Sequence, residues 1–333
     1  IPPIFAPVSL PSHPNSGWLA SRWYPRFRPA DIPKIPTMPG QLKEVRNRIK
    51  SVQSTQQITK AMKMVSAAKL RKAQDAIIQM RPYARKLQDM LSNIVSNVDP
   101  SEIGSNLAQE RPVEKVLYIV ITSDRGLCGA YNTNVQKLAM ADMQEKYAAQ
   151  LAKGNVHFWG IGKKGTEFFQ RRNFKVDARF RDTFLTLNFD TVQACAEAAR
   201  NAFSSKEYDV VELVYSEFRN AATQRFTVER FLPIPKAKPA SGAKAMKADF
   251  IFEPEKGALV AELMPRILNT QLFKAVLDAN ASEHGARMTA MDKASENANE
   301  MLKSLKISYN RARQAAITTE LTEIVSGAAA LQG

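Results

Sequence analysis

The chain has 333 residues, 44% hydrophobic and 24% charged, and its 47 Lys+Arg against 32 Asp+Glu leave a net charge of +15. That length accommodates two domains, and the basic excess suits an acidic protein partner, an anionic membrane surface or nucleic acid. No apolar run approaches the roughly 18 residues that span a bilayer, and Cys128, Cys195 and three histidines at 13, 157 and 284 support neither a disulfide framework, a zinc site nor a histidine-based triad.

Residues 1–39 are a Pro-rich extension holding ten of the eighteen prolines, with Trp18, Trp23 and Tyr24, and with Arg22, Arg26 and Arg28 ahead of the first acid, Asp31. Prolines at this density oppose helix. The acid-poor start is like an organelle transit segment but lacks the amphipathic helix such segments form. The stretch reads as an extension wrapped on a partner, and Ile1 in place of methionine suggests processing.

Residues 40–97 read as one helix. Leu42, Val45, Ile49 and Val52, then Leu70, Ala73, Ile77, Met80, Ala84, Leu87, Leu91 and Ile94, recur at three-four spacing, the signature of a helix–helix seam. Between the two runs the seam positions are Gln56, Thr59, Lys63 and Ser66, while Ile58, Met62 and Val65 are expected to shift the apolar face sideways. Pro82 is expected to bend or loosen one turn. Twelve basic residues against three acidic ones in this segment point to an anionic partner.

Residues 113–235 have a different texture. Strand runs at 115–122, 156–159, 210–218 and 223–231 alternate with helical stretches at 134–147, 166–171 and 191–204, which implies βαβ units, a mainly parallel sheet and a closing antiparallel hairpin near Arg219-Asn220. A basic linker with a short strand, Phe250–Pro254, occupies 236–256.

Residues 257–333 form the second long helix. Its seam reads Met291, Ala294, Ala298, Met301, Leu305, Ser308 and Ala312, then after a one-residue slip Ile317, Leu321, Ile324, Ala328 and Leu331. A helix of roughly 75 residues is on the order of 110 Å long, too long to pack inside a domain of this size. The first helix runs towards the α/β domain and the last runs away from it, so the two seams meet only as an antiparallel pair. The last helix should overshoot by a tip of about 25–30 Å. That tip, with Ile324, Val325 and Leu331, is apolar and mostly small, and is expected to sit inside another protein. The fold class is α/β, a long antiparallel two-helix coiled coil built from the terminal segments around a Rossmann-like domain.

Two glycine turns invite a nucleotide. Gly160, Gly162 and Gly165 (GIGKKG) match GxGxxG between a strand and a helix, although the match follows the second strand and carries Lys163-Lys164. An ordinary glycine-rich βα turn explains it as well. Asp124, Arg125, Gly126 and Gly129 form another such turn, but it ends Gly-Ala-Tyr where a phosphate loop ends Gly-Lys-Ser/Thr.

Three stretches, Ile58–Arg71 (ITKAMKMVSAAKLR), Ser123–Asn132 (SDRGLCGAYN) and Ala286–Ala330, resemble the gamma subunit of rotary ATP synthases, in the right order over about 40–331. The resemblance implies a non-catalytic central stalk that transmits torque between the membrane rotor c-ring and the ring of alpha and beta subunits. Its implied partners are those subunits, the c-ring and delta/epsilon-type stalk subunits. No cofactor and no nucleic acid is implied. The wording SEHGARMTAMD and YNRARQ resembles mitochondrial or related bacterial members, which implies the matrix side of the mitochondrial inner membrane. Carried over by position, Arg287, Gln314 and Thr318 match shaft contacts with catch loops of the head. Met62 and Lys63 match the contact with an acidic lever of a beta subunit, and Phe252 and Glu253 the foot near the rotor ring. The competing readings are a basic coiled-coil nucleic-acid binder and a nucleotide-dependent enzyme using the GIGKKG turn.

Overall fold

The structure is a computed structural model and describes residues 39–97, 107, 109–234 and 256–332. The expected extension before Pro39, the basic linker, the short strand Phe250–Pro254 and the foot residues Phe252 and Glu253 lie outside the described residues. In chain order the elements are α1 (Pro39–Asn97), β1 (Val116–Ile121), α2 (Tyr131–Lys146), α3 (Ala148–Ala152), β2 (Val156–Ile161), α4 (Lys163–Gln170), β3 (Lys175–Asp177), α5 (Phe189–Ser204), β4 (Val210–Phe218), β5 (Gln224–Leu232) and α6 (Lys256–Gln332). Two compact units divide the chain: Asn47–Ile307, and the two ends, Ile1–Arg46 with Ser308–Gly333.

The larger unit is built on a five-stranded sheet of order β3-β2-β1-β4-β5. β1 lies parallel to β2 and β4, β2 is parallel to β3, and β5 closes the sheet antiparallel to β4. All six residues of β1 are buried, because a central parallel strand has helices on both of its faces. On one face Leu117, Ile119, Ile121, Leu213 and Trp159 pack against α5 and against Met264, Leu268, Leu272 and Val276 of α6. On the other, Tyr118, Val120, Phe158 and Val214 pack against Tyr131, Val135, Ala139 and Met143 of α2 and Phe169 of α4. This is a Rossmann-like three-layer arrangement with an antiparallel edge strand. α5 starts cleanly, with the Asn188 side chain accepting from the Thr191 amide at 2.9 Å and Asp190 in its first turn.

One row across the sheet is polar. Tyr118 on β1 stands beside Glu212 on β4, and Glu212 beside Arg230 on β5. Glu212, 2% exposed, accepts from Tyr147 Oη at 2.8 Å and from Arg230 Nη2 at 3.1 Å. The Tyr118 hydroxyl donates to Asp142 at 2.8 Å. A buried charge tolerated this way demands its partners in one register, and it sits where the β4–β5 ladder shifts, between Val211 and Glu212.

Within the same unit α1 and α6 pair antiparallel. Thr59 Oγ1 meets Ser295 Oγ at 2.7 Å, Lys63 Nζ meets Asp292 at 2.5 Å, and Leu70, Ala73 and Ile77 share a cluster with Leu277 and Ala281, so partner numbers fall along α6 as they rise along α1. On α1 the three-four series holds through its polar stretch: Thr59 and Ser66 are buried, whereas Ile58 and Val65 are more than half exposed. The expected sideways shift of the apolar face does not occur. The hydroxyls stay in the seam because they are bonded, Ser66 Oγ donating to Met62 O at 2.8 Å and Ser295 Oγ to Met291 O at 2.8 Å. On α6 the buried series is Met291, Ser295, Ala298 and Leu302, which corrects the expected Ala294 and Met301 by one residue each. Pro82 and Pro265 lie inside their helices, and both helices run through them.

In the smaller unit Arg46 Nη2 donates to Tyr309 Oη at 3.0 Å, tying the start of α1 to α6. Beyond it Ile317, Leu321, Ile324, Val325 and Leu331 are all exposed, Leu331 at 90%.

The seam phase is directly testable. Leu302→Ala should lower unfolding stability by about 2 kcal/mol or more, while Met301→Ala should stay within about 0.5 kcal/mol. Urea unfolding of the two variants side by side reads the difference.

Candidate functional site: the loop after the first strand and its anchor on the last helix

β1 ends in a loop, 122–130, that is wired to itself. The Ser123 amide donates to Asn132 Oδ1 at 3.0 Å, Ser123 Oγ to Arg125 O at 2.7 Å, and Asn132 Nδ2 to Cys128 Sγ at 3.2 Å. Leu127 is held at φ 63° and Gly129 at φ 60°, left-handed geometry that costs a leucine about 1–3 kcal/mol and persists only where its surroundings impose it. Leu127 is nevertheless 65% exposed, so the wiring of the loop, not burial, holds it there.

The neighbouring GIGKKG turn packs onto this loop. Gly162 has φ 98°, and a Cβ there would come within 2.1 Å of Thr122 O; one on Gly165 would come within 2.7 Å of Thr122 Oγ1. The leading amides of α4 are occupied by protein. Lys163 N donates to Asp124 Oδ1 at 3.2 Å, Lys164 N to Ser123 O at 3.0 Å and Gly165 N to Thr122 Oγ1 at 2.7 Å. A pyrophosphate needs those donors free. The glycines therefore serve close packing of two βα turns, and the nucleotide reading of this motif is set aside. Among the described residues no cluster of three or more His, Cys, Asp or Glu could hold a metal ion, and no helix is long and apolar enough to cross a membrane.

α6 clamps the loop through Arg287. Its Nη1 donates to Glu283 Oε1 at 2.6 Å and its Nη2 to the carbonyl oxygens of Arg125 and Gly126 at 3.0 and 3.4 Å. Both side chains of the ion pair are about nine-tenths buried. Burial raises the Glu283 carboxyl above the usual range even against the pull of Arg287. Burial also pushes His284 down to about 4, helped by the charges of Arg287 and Lys69, so it is neutral at pH 7 and its Nδ1 stands 3.4 Å from Arg287 Nη1. Around this clamp Tyr131 Oη donates to Ala279 O at 3.1 Å and Thr289 Oγ1 to Ala221 O at 3.3 Å. Gly285 leaves room for the Ala221 backbone, which a Cβ would approach to 3.2 Å.

Arg287, expected to reach outward to the head, thus faces inward: its guanidinium is consumed by a carboxylate and two carbonyls of its own chain. Lys63 is half-exposed and pairs with Asp292 across the helix seam, with Met62 half-buried beside it. Gln314 and Thr318 lie exposed one turn apart on α6, Thr318 Oγ1 donating back to Gln314 O at 3.0 Å. The partners Glu283, Asp292 and Ser295 were missed by sequence reasoning. Of these, Glu283 alone carried a local signal, its i,i+4 spacing to Arg287.

A family model described as ATP synthase matches residues 41–331. The ATP synthase gamma chain of Cytophaga hutchinsonii is 52% identical over 292 residues, covering 87% of this chain and 98% of the relative. The chain belongs to the ATP synthase gamma chain family. The gamma chain of Chlorobaculum tepidum is 49% identical with 87% and 99% covered, and that of Flavobacterium johnsoniae 50% identical with 88% and 100% covered. Among solved structures, a chain of the Euglena gracilis mitochondrial ATP synthase (OSCP/F1/c-ring) aligns at TM-score 0.60 and 20% identity, over 88% of this chain and 95% of that one. A chain of the Tetrahymena thermophila mitochondrial ATP synthase central stalk/c-ring aligns at TM-score 0.50 and 23% identity, over 72% and 99%. The fold is therefore shared with chains of mitochondrial ATP synthases, while the three relatives named here are bacterial.

The buried clamp makes a sharp stability prediction for this gamma-family chain. Arg287→Ala should cost about 3–5 kcal/mol, since it strands Glu283 and two carbonyls. Replacing the pair together, Glu283→Leu with Arg287→Met, should recover a substantial part of that loss. Denaturant unfolding of the full chain checks both.

Proposed function

We propose that this chain is the rotor shaft of a proton-translocating ATP synthase, a non-catalytic subunit that carries torque between the membrane rotor ring and the alpha/beta head. The observation that carries this reading is the row Ile317, Leu321, Ile324, Val325 and Leu331, every one of them about half or more exposed on the terminal part of α6. Apolar side chains in such a row need a cover, and a sleeve of other subunits supplies one. The small residues among them, Ser326 to Ala330, leave little to interlock with that sleeve, so rotation inside it meets a low barrier.

The head contacts are assigned on this reading to Gln314 and Thr318, both exposed, and to Met62 and Lys63 on the outer side of the seam. Lys63 makes a half-exposed ion pair with Asp292, worth about 0–1 kcal/mol, which leaves it free to exchange Asp292 for an acidic segment of a beta subunit. Arg287 is assigned a different part: it fixes the 124–126 loop against α6. The foot on the rotor ring is assigned to Phe252 and Glu253, and further stalk subunits of the delta/epsilon type are expected beside the α/β domain. As to compartment, the mitochondrial structures share the fold alone, and the relatives at about half identity named above are bacterial, so the matrix side of the mitochondrial inner membrane is not carried forward. The reading retained is the face of whichever coupling membrane carries the rotor ring.

Removing residues 322–333 tests the shaft. The assembled enzyme should keep part of its ATP hydrolysis while proton-driven ATP synthesis falls several-fold more. Synthesis and hydrolysis that stay in their original ratio would overturn the reading.

A further inference from the structure

Asp278 of α6 is a buried carboxylate that neither the clamp nor the helix seam uses. It is 3% exposed and sits where α6 meets α1 and the end of β4. A small cavity of about 20 Å³ lies beside it, lined by Ile77, Met80 and Arg81 of α1 and Lys274 and Leu277 of α6. That is room for about one water molecule, enough to bring a proton to the carboxylate and carry it away. The charged and titratable groups facing it are few. Lys274 approaches from its own helix, Arg81 from α1, Glu217 and the Phe218 amide from β4, and the Tyr215 phenol from the same strand. Among the described residues no lysine or arginine forms an ion pair with Asp278; Lys274 and Arg81 act on it through space, and Arg81 itself is exposed.

We propose that Asp278 is a proton-binding site that grades the hold of α6 on α1 and β4. Neutral, its carboxyl fills the junction as an uncharged group; ionised, it places a charge among Ile77, Leu277 and Phe218, and the junction opens towards Arg81 and water to accommodate it. Burial pushes its titration up to about 6, against the opposing pull of Lys274 and Arg81. The sign follows from linkage. The folded chain holds this proton more tightly than the unfolded one, so the site costs stability above about pH 6, and that cost vanishes as pH falls below the ordinary carboxylate value. His284 works in the opposite sense over an overlapping range, since its folded form resists protonation. A comparison between variants therefore isolates Asp278 where a single pH profile does not.

The test uses the full chain, wild type against Asp278→Asn, in urea unfolding at pH 8 and pH 4. Asp278→Asn should raise the folding equilibrium constant at pH 8 on the order of tenfold to hundredfold relative to pH 4, because each pH step by which burial displaces the titration is worth one decade in that constant. A gap of equal size at both pH values overturns the proposal. Backbone hydrogen exchange in wild type against Arg81→Gln provides a second reading that needs no buried substitution and in which His284 cancels. Without the Arg81 charge the folded chain holds the Asp278 proton more tightly, so amides of α6 around Asp278 in Arg81→Gln, corrected for intrinsic rates, should lose protection relative to wild type as pH rises from about 5 to about 8. A difference between the two proteins that stays constant across this range counts against the site. Neither measurement depends on the shaft reading, so failure here leaves that reading intact.

Discussion

One helix has to satisfy two layers, and the rest of the larger unit is fitted to that requirement. Between Met264 and Ala279, α6 buries one side against the sheet; Leu277 and Ala281 face α1, and from Met291 to Leu302 the helix is paired with α1. A helix buried on most of its circumference offers no continuous polar face. Its polar groups there must therefore be bonded individually, as the Ser282 hydroxyl is to Ser216 O at 3.1 Å and the Ala279 carbonyl is to the Tyr131 hydroxyl of α2. Arg287 stands where the two duties meet, and its fork joins the helix to the loop that ends β1. α6 is thereby joined to the end of β1 through a buried guanidinium bonded to backbone carbonyls.

The two glycine turns belong to the same logic. Thr122 is the common support: its amide donates to Ile161 O, and its hydroxyl receives the Gly165 amide. Side chains larger than hydrogen at 162 and 165 have no space. What has the spacing of a nucleotide fingerprint is a joint between adjacent βα turns, closed by Asp124 and Ser123 at the start of α4.

How much of this was legible follows from which signals are local. The α1 seam was readable from spacing alone, including its polar positions, because every step stayed at three or four. The direction of the apolar face around Ile58 and Val65 was misread, since hydrophobicity was weighed above register and the cross-helix hydroxyl pair that holds Thr59 inward is invisible in one strand of sequence. The α6 seam was placed one residue off at 294 and 301 because Ala294 is more apolar than Ser295 and Met301 is as apolar as Leu302; the choice is made by α1, whose Thr59 hydroxyl meets Ser295. β3 escaped notice as three residues with charged ends, paired only because β2 lies beside it. Arg287 was singled out by family position, yet its inward orientation depends on backbone carbonyls about 160 residues away, for which sequence carries no mark.

The hydroxyl contact between Thr59 and Ser295, with the Lys63–Asp292 pair one turn along, has a mechanical consequence. A uniformly greasy interface between two long rods lets one creep past the other by a heptad at little cost, since each new alignment resembles the last. Here such creep forfeits both polar contacts together and leaves Thr59 facing Leu302. The two rods are keyed like splined metal, and a twist applied at one place along the pair is delivered at another without backlash.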